Sequence, residues 1–317
     1  MRAIPLCALL ILGAVNCWAQ DYPAREIRSI CNFTAGSGAD IIVRYYSDRL
    51  ARLAGKPVVV ENKPGAQGAV ANDFVAKSRP DGYTLLITPA SSTLAIAPHI
   101  FKSLSYDPIK DFASVTTLLT LSFVIAVEPV KGPKSVPELV ERLRAKEGHG
   151  FYATQSNSGQ VSAELFKAHY KLSTAYVPFK ATGDAFANLT SGNVDFMSVD
   201  STWAATMHPS RVRVLAVTSA KRNPSLPDVP ALAELGATGF DISPWWGVVV
   251  PAGTPRPIID RLAGWFNQIA QDAETRQFLA RQAAEALPGT PESMAQLLKN
   301  DMARWAGYVK LAKIQPQ

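Results

Sequence analysis

Short apolar runs of strand length alternate with segments of helical period from Ile27 almost to the end of the chain. In the first unit, Ile27 to Phe33 is a predicted strand and Asp40 to Leu53 a predicted helix that ends at Gly55. Further strands are predicted at residues 57–61, 83–88, 122–127, 151–154, 175–179, 194–198, 212–218 and 246–251. This alternation is typical of parallel sheets covered by helices, so we expect an α/β fold.

Helix starts carry recognisable capping signals. Ser135, with Glu138 three residues later, predicts a capping box. Thr254-Pro255 and Thr290-Pro291 each predict a helix in which Thr is the cap and Pro takes the first helical position.

Residues 1–19 are predicted to be a signal peptide. Arg2 precedes an apolar run from Ile4 to Val15, and small residues before the expected cleavage after Ala19 complete the pattern. A lipoprotein signal at Cys17 is the alternative, but Asn16 stands where that signal requires Gly, Ala or Ser. No later apolar stretch reaches the roughly 18 residues needed to span a bilayer, so we expect a periplasmic protein.

The length of 317 residues predicts two domains. Two of the three cysteines lie in the predicted signal peptide, which leaves Cys31 alone and predicts no disulfide. Lys and Arg are scattered along a chain of net charge +6, without the basic and aromatic clusters of a nucleic-acid binder. We expect no nucleic-acid partner.

The segment from Phe33 to Asp40 is the most informative for function, because small residues connect a predicted strand to a predicted helix. Exposed backbone N–H groups at a helix start, together with the helix dipole, favour an anion such as a carboxylate. The alternative is a tight turn in which Asp40 only caps or complements the helix N-terminus.

Signals of catalysis and of cofactor binding are weak. Gly36-x-Gly38, followed by Glu61, imitates a dinucleotide fingerprint, but the third glycine is missing and Ile41 stands where Gly or Ala is needed. The four histidines, His99, His149, His169 and His208, show no metal-ligand spacing, and no G-x-S-x-G motif occurs. We therefore expect no cofactor, no metal and no enzyme activity.

Several segments, taken in order, resemble the extracytoplasmic solute receptors of tripartite tricarboxylate transporters, the Bug family. The matching segments are Ile27–Asp40, Val58–Ala66, Pro80–Leu86, Tyr106–Pro108 with Asp111–Phe112, Val177–Lys180, Gly192–Asp195, Leu215–Thr218 with Arg222, Leu226–Pro230 and Pro251–Pro255. They cover essentially the whole chain after the signal peptide.

The resemblance implies a periplasmic-binding-protein fold of two α/β lobes with a hinge and a ligand cleft between them. We expect the chain to cross between lobes near residues 119–124 and 240–245, so that lobe 1 comprises residues 20–121 plus 243–317 and lobe 2 residues 122–242. The ligand contacts that it implies are Phe33, Ala35, Gly36, Ser37, Gly38, Asp40, Ser91, Ser92, Thr93, Thr154, Ser158, Phe179, Lys180, Ala181, Thr182, Asp200 and Ser201.

The chain departs from the family pattern in three places. Cys31-Asn32 replaces the common Val-Pro before the first loop, so we expect a different pocket floor. The loop from Tyr152 to Ser158 lacks the usual glycine-rich run with a following His. Phe179 replaces the usual Tyr and Ala181 the usual Gly.

The resemblance implies a monomeric receptor that captures a small carboxylate and delivers it to membrane permease subunits. Lys180 is the only cationic residue in the implied contact segments, against Asp40 and Asp200, so a mono- or dicarboxylate is favoured over a tricarboxylate. If Lys180→Ala leaves affinity unchanged, backbone amides carry recognition.

Two alternatives stay open at this point. A sensor partner would present the ligand to a membrane signalling protein, and a neighbouring sensor-kinase gene would favour it over transport. A secreted hydrolase would use Ser37, Ser158 or Ser201 as its nucleophile.

Overall fold

A computed structural model of the chain describes residues 22–154, 156–179, 182–208 and 210–316, with only the backbone of Thr182. The predicted signal peptide and its cleavage site lie outside these ranges, as do Lys180 and Ala181.

The strands are short and mostly buried. They are β1 (Ile27–Cys31), β2 (Val58–Asn62), β3 (Thr84–Thr88), β4 (Phe112–Leu121), β5 (Phe123–Val127), β6 (Gly150–Thr154), β7 (Thr174–Tyr176), β8 (Phe196–Asp200), β9 (Arg213–Val217), β10 (Trp245–Pro251) and β11 (Ala284–Ala286).

The α-helices cover both faces of the sheets. They are α1 (Gly38–Ala54), α2 (Ala69–Ala76), α3 (Ala97–Ile100), α4 (Val136–Ala145), α5 (Asn157–Tyr170), α6 (Thr182–Thr190), α7 (Ser201–Met207), α8 (Arg256–Gln271), α9 (Ala273–Arg281) and α10 (Pro291–Leu311). A π-helical turn, Ser91–Ala95, follows β3.

The strands form two sheets that contain both parallel and antiparallel pairs, and the predicted α/β class is confirmed. The six-stranded sheet has the order β11-β4-β10-β3-β1-β2, and the five-stranded sheet the order β7-β6-β8-β5-β9. In the first, β1 is parallel to β2 and β3, and β10 is antiparallel to β3 and β4. In the second, β6 is parallel to β7 and β8, and β5 is antiparallel to β8 and β9.

The antiparallel strands arise because the chain crosses between the sheets. Only Ser122 separates β4 from β5, and the chain returns to the six-stranded sheet between β9 and β10. These crossings support the predicted lobe boundaries, which stay a prediction. The strands β4 and β11 were not predicted from the sequence.

Two of the three predicted helix caps are confirmed and one is wrong. Ser135 accepts a hydrogen bond from Glu138 N at 3.3 Å, but Glu138 Oε2 accepts from Lys134 N and not from Ser135 N, so the cap forms without the reciprocal bond of a capping box. Thr290 accepts a hydrogen bond from Ser293 N at 3.1 Å. Thr254 does not cap α8, because its hydroxyl donates to the carbonyl oxygen of Pro251 at 2.7 Å and so closes the turn after β10. Pro255 is the N-cap, and α8 begins at Arg256.

Apolar clusters on both faces of each sheet form the core, and one cluster joins the two halves. Val161 of α5 packs in the same buried cluster as Leu298 and Trp305 of α10. Among the residues described, no helix combines the length and apolar character needed to cross a membrane.

Candidate ligand-binding site

The predicted contact segments lie where parallel strands end. The loop at residues 33–37 follows β1, and the turn Ser91–Ala95 follows β3; in the other sheet, Ser156 follows β6 and Ser201 follows β8. Ligands of open α/β sheets bind beyond the carboxyl ends of the strands. The fold therefore places these segments at the edges of the two sheets where a ligand is expected.

The start of α1 presents backbone amides to this edge. Ser37 is the N-cap, and its side chain accepts from Asp40 N at 3.2 Å while its carbonyl accepts from Ile41 N at 3.0 Å. The first N–H groups of a helix have no intrahelical partner. Here those of Gly38 and Ala39 lie at exposed and half-buried positions, so they are suited to an anion.

Asp40 stabilises the loop at residues 33–37 through its side-chain hydrogen bonds. The residue is 1% exposed, and its carboxylate accepts from Gly36 N at 2.8 Å, Asn62 Nδ2 at 2.7 Å and Arg44 Nε at 2.8 Å. Burial opposes ionisation, but these three donors together hold the pKa of Asp40 below its ordinary value. Asp40 thus has a structural role in the first turn of α1, although Ser37 and not Asp40 is the N-cap, and its charge is balanced by Arg44.

Phe33 and Trp246 form the aromatic support of the same loop. Their ring centroids are 5.7 Å apart with 18° between the ring planes, and Phe33 O accepts from Asn62 Nδ2 at 2.9 Å. Cys31, two residues before Phe33, is buried, and burial raises the pKa of its thiol to about 11. These contacts fix the backbone of the loop rather than offer reactive groups.

The hydroxyls of the turn after β3 point largely inward. Ser91 Oγ donates to Asp301 Oδ2 at 2.5 Å and accepts from Trp305 Nε1 at 3.0 Å. Thr93 Oγ1 lies 2.8 Å from Thr88 Oγ1, whereas Ser92 is half-buried. Of the three predicted contacts in this turn, Ser92 is therefore the one whose side chain has access to the edge of the sheet.

Asp301 anchors this turn from α10. Trp245 Nε1 donates to it at 3.0 Å, and Arg304 Nε lies 3.7 Å from its other oxygen. Burial raises the pKa of Asp301, although Ser91, Arg304 and the indole donors oppose the shift. Sequence reasoning did not identify this residue.

The start of α5 is the counterpart of α1 in the five-stranded half. Ser156 is the N-cap and accepts from Gly159 N at 3.1 Å, and its hydroxyl lies 3.2 Å from that of Ser158. A Cβ on Gly159 would come within 2.2 Å of Thr154 Oγ1 and 3.0 Å of Ser198 O, so glycine lets this helix start sit against β6 and β8. The predicted contacts Thr154 and Ser158 are both buried there.

The remaining predicted contacts have mixed environments. Phe179 packs partly buried against the apolar cluster of the five-stranded half, and Asp200 caps α7 through Trp203 N at 2.8 Å. Ser201 is fully buried, and its hydroxyl donates to Ala283 O at 2.7 Å. That bond holds Ser201 as a structural contact between the two halves. Its nearest partner is a backbone carbonyl and not the histidine that a hydrolase would need.

Two of the histidines lie close to backbone carbonyl oxygens. Nε2 of His99 lies 2.9 Å from Met302 O, and Nδ1 of His208 lies 3.3 Å from Val212 O. Within the ranges that the structure covers, no three His, Cys, Asp or Glu side chains are grouped to hold a metal ion. A surface cavity of about 340 Å³ near Phe112, Arg256 and Leu298 contains no predicted contact residue.

Two buried carboxamides at the strand ends were missed as candidate contacts. Asn32 Oδ1, after β1, and Asn157 Nδ2, at the start of α5, have no hydrogen-bond partner among the described residues. The sequence did mark Asn32 as a departure from the common Val-Pro, but nothing in it showed that the side chain is buried.

Two α/β halves with loops gathered at the carboxyl ends of their parallel strands define the class of two-lobed solute-binding proteins. The sequence matches the tripartite tricarboxylate transporter family receptor over residues 42–313. The chain belongs to this family, as the sequence predicted.

Individual relatives are similar over nearly their whole length. BugT of Bordetella pertussis is 31% identical over 296 residues, which cover 92% of this chain and 90% of that protein. The R. palustris protein Rpa4515, solved with adipate, has a TM-score of 0.86 at 28% identity and covers 94% of this chain and 100% of its own. MatC from Rhodopseudomonas palustris, solved with bound malate, has a TM-score of 0.80 at 28% identity and covers 91% and 100%.

Proposed function

We propose that this protein is a periplasmic receptor that captures a small organic mono- or dicarboxylate and delivers it to the membrane subunits of a tripartite transporter. The family and the two similar structures with adipate and malate support a carboxylate ligand. In this proposal the protein binds without catalysing a reaction.

The observation that carries the proposal is the start of α1. The amides of Gly38 and Ala39 lie in the first turn of α1, after the carboxyl end of β1, where the helix dipole favours a negative charge. Asp40, the anion in the same turn, is neutralised by Arg44 at 2.8 Å. A carboxylate that approaches this turn thus meets donors without an uncompensated negative charge from Asp40.

The backbone geometry allows a single-donor test at Gly38. Proline is tolerated at the first position of a helix and lacks an N–H. Ser37, the preceding residue, has φ −71° and ψ 160°, which is the conformation that a following proline favours. A Cβ at Gly38 meets no atom within 4 Å, so Gly38→Ala keeps the N–H without a clash and is the matched control.

We expect purified protein to show a ligand-dependent rise in melting temperature with adipate, malate or succinate. Gly38→Pro is expected to weaken binding about 10-fold in isothermal titration calorimetry, while Gly38→Ala stays within about 2-fold of the unmodified protein. No shift with any of a broad panel of organic acids would contradict the proposal. Equal binding by both variants would move the carboxylate away from the start of α1.

A further inference from the structure

Asn32 is a buried polar side chain with unused hydrogen-bonding capacity. It directly follows β1, the residue is 6% exposed, and its Oδ1 has no partner among the described residues. Folded proteins pair most buried polar atoms with protein groups or ordered water, so an unpaired acceptor asks for an explanation.

The carboxamide of Asn32 lies among the segments that surround the candidate site. A Cβ placed on Gly68, just before α2, would come within 2.7 Å of Asn32 Nδ2 and 3.1 Å of Thr93 Cγ2. Asn32 is therefore beside both the turn after β3 and the start of α2, and glycine at position 68, with φ +94°, leaves its amide the necessary room.

Donors close to Asn32 are already in use. Asn62 Nδ2 donates to Asp40 and to Phe33 O, and Thr93 Oγ1 is bonded to Thr88 Oγ1 and Pro89 O. Among the described residues, Asn32 Oδ1 is thus an unpaired acceptor at the end of β1, because the neighbouring donors are bonded to other groups.

A second, independent unpaired carboxamide lies in the other half. Asn157 opens α5 after β6, is 9% exposed, and its Nδ2 donor has no partner among the described residues. The strands β1 and β6 hold the same place in their sheets, each between two parallel neighbours. Corresponding ends of the two halves therefore offer one unpaired acceptor and one unpaired donor.

We propose that Asn32 is a specificity-determining residue that selects carboxylic acids bearing a hydroxyl or ammonium donor. Asn32 Oδ1 accepts from that donor, and Asn157 Nδ2 donates to an oxygen of the same ligand. This inference rests on the proposed carboxylate-binding function and narrows its ligand class.

The test uses acids that differ only in the donor. Succinate, malate and aspartate share a four-carbon dicarboxylate skeleton. Succinate carries no added donor, malate carries a hydroxyl and aspartate an ammonium group. Adipate, 2-hydroxyadipate and 2-aminoadipate form the same series on a six-carbon skeleton. In calorimetry with the unmodified protein, the preferred donor-bearing acid of a series is expected to bind at least about 10-fold more tightly than its plain parent. Which donor wins distinguishes a hydroxy acid from an amino acid, and either supports the proposal.

The variants separate recognition from folding. Asn32→Ala is expected to weaken the donor-bearing acid about 10-fold and the plain acid less than about 3-fold. Asn32→Ser keeps a smaller acceptor and is expected to be intermediate. Asn300→Ala is the matched control, because Asn300 is exposed on α10 in the same half. If Asn32→Ala does not fold, Asn32→Ser and the ligand series with the unmodified protein decide the question.

Different results would overturn the role of Asn32 and the proposed carboxylate-binding function. Equal affinity for all three acids of each series in the unmodified protein overturns this inference and leaves a carboxylate receptor in place. Equal weakening of all three by Asn32→Ala shows that Asn32 serves the structure or holds a water, and overturns it too. Binding of no acid overturns the proposed function itself.

Discussion

Asp40 and Asp301 are both almost wholly buried, and each ties a loop at the carboxyl end of the six-stranded sheet to the body of the protein. Asp40 binds the loop after β1 through Gly36 N, Asn62 and Arg44. Asp301 binds the turn after β3 through Ser91, with Trp245 and Trp305 as further donors. Two acids therefore do the same mechanical task in different surroundings.

The difference between them lies in the charge of their partners. Arg44 contacts Asp40 directly at 2.8 Å, and with the other donors it outweighs burial, so the pKa of Asp40 falls. The donors to Asp301 are neutral and Arg304 is 3.7 Å away, so burial prevails and its pKa rises. The contacts of Asp40 stabilise its ionised form, whereas the surroundings of Asp301 disfavour its ionised form.

The largest expected contrast comes from replacing each acid by its neutral amide. At pH 7, Asp40→Asn is expected to lower the free energy of unfolding by about 2 kcal/mol, because Arg44 loses its counter-charge; its half-exposed guanidinium moderates the loss. Asp301→Asn is expected to stay within about 1 kcal/mol of the unmodified protein, since the amide oxygen still accepts and a buried charge is removed. Urea denaturation monitored by circular dichroism measures both.

Each variant is the matched control of the other, because both make the same chemical change at a buried acid. Equal losses of unfolding free energy in the two variants would contradict the proposed difference between Asp40 and Asp301. A larger loss in Asp301→Asn than in Asp40→Asn would reverse that difference.

The sequence could suggest the Asp40 anchor because most of its partners are local. Gly36 and Arg44 lie four residues before and after it, within one loop and one helix turn, so a helix-start acid was already a recognised alternative. The Asp301 anchor joins residues 210 positions apart, and no local pattern links Ser91 to α10. Its assembly depends on where α10 packs.

The same reasoning explains what was predicted of the fold. Strands and helices with clear apolar periodicity, such as β3 and α1, were predicted within a few residues. The strand β4 was missed, since its threonines and serine interrupt the apolar run, and the antiparallel place of β10 depends on a crossing between sheets. The loop amides at Gly38 followed from local sequence, whereas the burial of Asn32 depends on Gly68 and Thr93 from other segments.

The second expected effect is a difference between the two acids in how the free energy of unfolding depends on pH. The pKa of Asp40 is lower in the folded state than in the unfolded state, so its stabilisation is present above its ordinary pKa and is lost as pH falls. The pKa of Asp301 is higher in the folded state, so the protein gains stability relative to Asp301→Asn as pH falls through the raised pKa. Unfolding free energies measured from about pH 3 to 7 for the three proteins check both signs.

In that series, the gap between the unmodified protein and Asp40→Asn should narrow towards acid pH. A gap that widens would show that the charge of Asp40 does not stabilise the folded state. If the unfolding free energies of Asp301→Asn and the unmodified protein change in parallel with pH, the folded state does not raise the pKa of Asp301.

The smallest expected effect concerns a single neutral donor to Asp301. Ser91→Ala removes the 2.5 Å hydrogen bond but leaves Trp245 Nε1 and Trp305 Nε1 within 3.0 and 3.3 Å of the carboxylate. We expect a loss of about 1 kcal/mol in unfolding free energy, compared with less than about 0.5 kcal/mol for Ser210→Ala at an exposed position. Because Ser91 favours the ionised acid, the variant should also gain more stability than the unmodified protein as pH falls. A loss as large as that of Asp40→Asn would mean that the turn after β3 depends on one neutral donor as strongly as the loop after β1 depends on the charge of Asp40, and the distinction between the two acids would fail.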